Sequence, residues 1–236
     1  MERIRLFCYI VTPVLKRSPA TARRLAFNPG DHICAVYSRI DELVQLAADF
    51  IVEGLRKDER CWYVESAGEG AAVSAALRQR GVKLADEIRR GAVSMLGGSA
   101  AYSVHGEFNP ESTVKTFSDA IETALNDGYK GFRAAAEMSW ALKVKNGAQL
   151  LIAYEALLRS LFTTTCATGL CLYHRERMPL KVLNGALVTH PIAGVSGCFK
   201  KNPFYDRDVT MLPGAAGNVR AKLRELAPAS HSLRRR

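Results

Sequence analysis

The chain has 236 residues, 48 % hydrophobic and 24 % charged, the make-up of a globular protein with enough apolar mass for one large α/β domain. Its net charge of +10 sits at the ends: residues 1–27 and 218–236 each carry six Lys/Arg against one acid, while 28–217 holds 21 basic and 21 acidic side chains. A neutral body argues against DNA binding by the folded domain and leaves DNA contact only to the basic termini. No apolar run approaches the roughly 20 residues that span a bilayer, so no membrane association is expected. The apolar stretch Leu6–Leu15, interrupted by Pro13, lacks a signal-peptide cleavage pattern. Six scattered cysteines without a C-x-x-C read as free thiols of a cytoplasmic protein.

Strand and helix signals alternate from residue 30 onward. Gly30–Tyr37 reads as a strand, and Asp41–Lys57 follows as a helix, with Leu43, Leu46, Ala47, Phe50 and Ile51 on one side and its end near Gly54-Leu55. Trp62-Tyr63-Val64 is a short strand closed by Glu65, and Ala71–Arg80 a helix closed by Gly81. Ala92–Leu96 is a third strand. A long loop, Gly97–Phe108, precedes Asn109-Pro110, which supplies an N-cap and a first-turn proline for a helix ending at Gly128. The pattern repeats as strand Phe132–Glu137, helix Gly147–Phe162, strand Gly169–Tyr173, helix Leu180–Val188 and a last strand through Ile192–Phe199. Such alternation predicts a three-layer α/β domain, a mostly parallel sheet with helices on both faces. The division is a basic N-terminal arm (1–27), one domain (28–212) and a basic C-terminal helix and tail (213–236), the two ends being expected to be dispensable for folding.

Polar residues gather at strand ends. His32 and Cys34 lie two apart on a strand and so project to one face. Tyr37 closes that strand, Glu65 another, Glu137 a third just before Met138-Ser139-Trp140, and Tyr173-His174-Arg175 a fourth. Together His32, Cys34, Tyr37, Glu65, Glu137, Trp140, Tyr173, His174 and Arg175 form the expected ligand-binding set, placed where open α/β sheets take ligands. Two plainer readings stand beside it: Cys34 and His32 as ordinary core residues, and a Glu137–Arg175 ion pair tying neighbouring strands. His32, Cys34 and His174 are the metal-ligand candidates, with Glu137, Cys171 and His190 as further possible donors not linked by spacing. A histidine beside Cys34 would also make it the most reactive of the thiols. The chain has no G-x-x-x-x-G-K-[ST], no complete dinucleotide fingerprint around Gly68-Glu69-Gly70, no G-x-S-x-G and no H-E-x-x-H. ATP hydrolysis is therefore not expected.

The run Gly30-Asp31-His32-Ile33-Cys34-Ala35-Val36-Tyr37, with Glu53-Gly54-Leu55, Glu137-Met138-Ser139-Trp140, Tyr154-Glu155, Tyr173-His174-Arg175, Thr189-His190-Pro191 and Asn202-Pro203-Phe204-Tyr205, resembles the MEDS sensory domain. The resemblance spans about 28–206. It implies a RecA/KaiC-like fold without a phosphate-binding loop, and a role in sensing simple hydrocarbon derivatives in signalling or transcription regulation. His32 and Cys34 match the family's His-x-Cys element, and Glu137 and Trp140 its Glu-Met-[Ser/Thr]-Trp element. His174 stands where the family usually has an acid, and Ala136 where a glycine is common. The expected function is a stand-alone small-molecule sensor, not an enzyme, that binds a small organic ligand and signals through a separate partner protein. Two alternatives stand beside it: a metal- or thiol-dependent redox switch or enzyme built on His32 and Cys34, and a degenerate nucleotide-binding module that does not hydrolyse its ligand.

Overall fold

The computed structural model describes residues 27–66, 68–98, 102, 107–209 and 218–228. Seven strands form one sheet: β1 (His32–Tyr37), β2 (Glu59–Glu65), β3 (Val93–Gly97), β4 (Gly131–Glu137), β5 (Ala167–His174), β6 (Ile192–Val195) and β7 (Cys198–Lys201). Their order is β3-β2-β4-β5-β1-β6-β7, parallel except for the antiparallel β6–β7 pair. The helices are α1 (Ile40–Arg56), α2 (Gly70–Gln79), α3 (Leu84–Arg89), α4 (Pro110–Asn126), α5 (Gly147–Thr164), α6 (Leu180–Thr189) and α7 (Val219–Leu226). A 3-10 helix, Met138–Lys143, follows β4 directly.

The period-2 alternation of each buried strand divides the core between two faces. Ile33, Ala35 and Tyr37 of β1 pack with α1, α2 and α3, whereas Cys34 and Val36 pack with α4, α5, α6 and α7. Three layers therefore stand as the alternation predicted. Pairing of β1 with β5 sets Cys34 beside Cys171 and Val36 beside Tyr173.

Four details differ from the sequence reading. The last strand is a hairpin: Ser196 and Gly197 both take positive φ (50° and 77°), the pattern of a type I′ turn, so the chain reverses within 192–201. Helix α1 runs through Gly54 to Arg56. Gly54 marks close packing instead of a helix end, since a Cβ there would lie 2.7 Å from Cys61 Sγ and 2.8 Å from Arg133 Cδ. That approach seats the fully buried Arg133, whose Nε donates to Glu59 at 2.5 Å and whose guanidinium lies 4.5 Å over the Phe50 ring. Helix α3 carries too few apolar residues to show in the sequence pattern. Lastly, α7 is the basic helix expected near the C-terminus, but it buries Val219, Leu223 and Leu226 against the core, and Lys222 Nζ donates to Asn184 Oδ1 at 2.8 Å. Burial of three aliphatic side chains contributes to stability, so the 218–228 segment packs as part of the structure.

Candidate functional site

Polar groups collect in two places, one at each end of β1. At the carboxyl end, Tyr37 and Glu137 stand on the α1 face of the sheet. The Tyr37 hydroxyl donates to Glu137 Oε1 at 2.9 Å, while Glu137 Oε2 accepts from the backbone N–H and the hydroxyl of Ser139 at 2.9 and 2.6 Å. Glu137 is thus the N-cap of the 3-10 helix, which is why that helix starts as soon as β4 ends. The Ser139 and Ser66 hydroxyls lie 3.1 Å apart. On the neighbouring strand, Tyr63 donates to Glu69 at 3.2 Å, and Glu65 accepts from Gly70 N at 2.7 Å at the start of α2. Burial and the adjacent carboxylates push the Tyr37 and Tyr63 hydroxyls far up, so both stay protonated donors.

In a parallel sheet of this kind, phosphate would sit where β1 feeds α1. Here that connection is only Ser38-Arg39. The first turn of α1 is occupied by acids: Glu42 accepts from Ser38 N at 3.1 Å, and Asp41 pairs with Arg39 through two hydrogen bonds of 2.8 and 2.7 Å. A loop without glycine, closed by two carboxylates, offers no cradle for an anion.

At the opposite end of β1, on the other face of the sheet, lies a dry polar cluster. His32 opens β1, Cys171 comes from β5, Glu155 projects from α5, and His190 follows α6. Pro191 forces His190 into extended backbone (φ −112°, ψ 123°), ending the helix there. The Asn202 amide then caps the freed carbonyls, donating to Leu187 O at 2.5 Å and His190 O at 2.8 Å. Glu155 Oε2 has His32 Nε2 at 3.1 Å, His190 Nε2 at 3.4 Å and Cys171 Sγ at 3.7 Å, and Cys171 Sγ is 3.5 Å from His32 Nε2. Tyr173 donates to Glu155 Oε1 at 2.5 Å. All five side chains are buried. Burial pulls both histidines down to about 3, so they are neutral near pH 7 and neither contact with Glu155 is an ion pair. The same desolvation raises the Glu155 carboxyl and the Cys171 thiol.

A family model, MEDS, the MEthanogen/methylotroph, DcmR Sensory domain, matches residues 31–191. The chain belongs to the MEDS family. Among solved structures, the crystal structure of the KaiC-like protein PH0186 from the hyperthermophilic archaeon Pyrococcus horikoshii OT3 is similar, with a TM-score of 0.51, 13 % identity and 72 % of each chain covered. That likeness shows the RecA/KaiC-like fold alone. No curated protein matches the chain. MEDS is a sensory family, and no helix among the described residues is long and apolar enough to cross a membrane.

The residues singled out from this MEDS sequence fall into separate groups. Tyr37, Glu65, Glu137, Trp140, His174 and Arg175 lie at the carboxyl ends of the strands or just beyond them, as expected. His32 is instead the first residue of β1, about 16 Å from Tyr37 along the strand. His32 and Cys34 do share a face, but it is the dry face of the cluster, and both are buried. Cys34 is no activated thiol: burial raises it well above its ordinary value, and a neutral His32 brings no positive charge. Tyr173 belongs to the Glu155 cluster. His174, three residues beyond Cys171, is not brought to His32; its Nδ1 accepts from the backbone N–H groups of Glu176 and Arg177 at 3.2 and 3.3 Å, the service an aspartate would perform in that turn. Glu137 is held by Tyr37 and Ser139, while half-buried Arg175 continues the strand pairing through its backbone N–H to Tyr37 O at 2.8 Å. The residue that sequence reading gave no role was Glu155. Its signal was present as a lone acid on the apolar stripe Leu151, Glu155, Leu158 and Phe162.

Proposed function

We propose that this MEDS domain senses a small, largely apolar organic molecule at the carboxyl edge of its sheet and passes the bound state to a signalling or transcription-regulatory partner. One observation carries this reading. Trp140 is buried with its indole N–H unpartnered among the described residues, while its ring stacks on Tyr102 (4.1 Å, 9°) and meets Phe108 edge-on at 4.6 Å. A buried donor without an acceptor is costly, and a ligand with one acceptor atom on an apolar body would relieve that cost. Such chemistry suits a simple hydrocarbon derivative. The acidic first turn of α1 weighs against the alternative of a bound nucleotide, whose phosphates would meet Asp41 and Glu42.

The test is the thermal midpoint of the full chain titrated with short-chain haloalkanes, alcohols and amines. A saturable rise with at least one of them is expected, lost in Trp140→Phe, which keeps the ring and removes the N–H, and retained in Cys166→Ser. No shift with any of these compounds, or one that persists in Trp140→Phe, overturns the reading.

A further inference from the structure

We propose that His32, Glu155, Cys171 and His190 form a closed site for one borderline divalent cation of the Zn²⁺ type. One donor atom from each lies within 4.8 Å of the other three. Around a tetrahedral zinc with bonds of about 2.0–2.3 Å, neighbouring donors stand roughly 3.3–3.8 Å apart. The observed separations of 3.1, 3.4, 3.5 and 3.7 Å are close to those edges.

Three features besides spacing favour a cation. The first is the His190 tautomer. Its Nδ1 lies 2.7 Å from Ala186 O and donates to it, so Nε2 carries a bare lone pair with no hydrogen-bond partner, aimed at Glu155. A lone pair facing a carboxylate oxygen is repulsive unless a positive centre sits between them, and an Nδ1–H held by a backbone carbonyl is the usual support of a metal-ligating histidine. The second is charge. Among the described residues, Glu155 has only the two histidines, and no Lys or Arg, at ion-pair distance. A dication with one carboxylate, one thiolate and two neutral imidazoles sums to zero, the condition for a charged group in a dry interior. Binding releases the Cys171 S–H proton to solvent, and His32 carries its remaining proton on Nδ1. The third is the outer support: Tyr173 donates to the Glu155 oxygen that faces away from the histidines.

The donor set names the class of ion. A thiolate with two imidazoles and one carboxylate suits Zn²⁺, Co²⁺ or Ni²⁺, whereas Mg²⁺ and Ca²⁺ prefer all-oxygen sites. Four protein donors leave no open position, so the ion would clamp β1, β5, α5 and the end of α6 together without acting as a Lewis acid on a substrate. The proposal does not rest on the ligand reading: its four donors are other side chains than Trp140, on the same face of the sheet, and its readouts are of the metal itself.

The full chain, treated with chelator and then reconstituted with Zn²⁺ or Co²⁺, gives the test. Expected are about one equivalent of metal per chain, a thermal midpoint raised by several degrees that reverses with chelator, and a thiolate-to-cobalt absorption band. Cys171→Ser should abolish the band, Glu155→Gln should weaken affinity at least about tenfold, and Cys166→Ser should change neither. Because the reversible midpoint shift is read on the unaltered chain, a variant that folds poorly does not blunt the test. No metal retained after reconstitution, or a cobalt spectrum unchanged in Cys171→Ser, overturns the proposal, the latter marking adventitious surface binding.

Discussion

The two ends of β1 hold buried carboxylates in opposite circumstances. Glu137, at the carboxyl end, receives three hydrogen bonds from Tyr37 and Ser139, and Ser139 reaches partly open surface. Glu155, near the amino end, has one oxygen held by Tyr173 and the other crowded by two neutral imidazoles and a thiol. The first arrangement is a complete hydrogen-bonded cap, and the second has a lone pair too many. A fold can bury an acid at little cost where backbone N–H groups converge on it, as at a helix start. Away from a helix terminus the same acid needs a proton or a cation, which makes the Glu155 end the more sensitive of the two to pH and metal.

Acid should show that sensitivity most strongly. The unfolded chain protonates His32 and His190 below their ordinary 6.5, while the folded chain resists until about 3. Stability therefore falls as pH drops through this window, by up to about 1.4 kcal/mol per pH unit for each histidine. Glu155 acts with the opposite sign. Its raised carboxyl holds a proton in the folded state above 4.5, where the unfolded chain has lost it, and this offsets part of the histidine effect. The net expectation is a loss of stability as pH falls from 6.5 to 4.5, steepening below 4.5. Urea unfolding of chelator-treated protein across that range measures it. His32→Asn should remove about one proton from the slope, and a flat profile would mean that the cluster is hydrated or already charged.

Truncating each acid sharpens the comparison with a smaller effect. Glu155→Ala opens a cavity and strands the Tyr173 hydroxyl, an expected loss of about 3 kcal/mol. Glu137→Ala also loses three hydrogen bonds, but water can reach Ser139, so about 1.5 kcal/mol is expected. Equal losses in denaturant midpoints at constant slope would show that the two ends are equally dry.

Much of this fold could be read from the sequence because each buried element carried its own period. Alternation in β1 and the stripe of α1 placed the layers, and Asn109-Pro110 marked the start of α4, where the Asn109 side chain accepts from Ser112 N at 3.0 Å. Ser196-Gly197 was missed because a two-residue turn between short strands leaves the apolar run almost unbroken. The site was harder to read for a different reason. Local pattern told that His32 and Cys34 share a face, but not which end of the sheet they occupy. The grouping of His32 with Cys171, Glu155 and His190 depends on β1 pairing with β5 and on α5 and α6 packing over that pair, contacts that join residues far apart in sequence. His174 looked like a ligand because a histidine after a strand has several uses. Only the turn of Glu176 and Arg177 shows it serving as a local acceptor.

The mildest probe of the same contrast is thiol accessibility. Cys34 and Cys171 sit side by side on β1 and β5 at the dry end, both buried and both held protonated by desolvation. Cys61 is buried near Arg133 and pushed up to about 12. Cys166 is exposed and Cys198 half-buried. Since the thiolate is the nucleophile, an alkylating reagent should modify Cys166 first and Cys198 next among these five, with Cys34, Cys61 and Cys171 reacting only as fast as the fold opens. Peptide mass mapping over time gives the order. Adding Zn²⁺ divides the slow group further: a bound ion holds Cys171 as a ligand and tightens the β1–β5 pair, so Cys34 and Cys171 should slow together while Cys61, on β2, keeps its rate. Early labelling of Cys34 would mean that the amino end of β1 opens to solvent, and the contrast between the two ends would collapse.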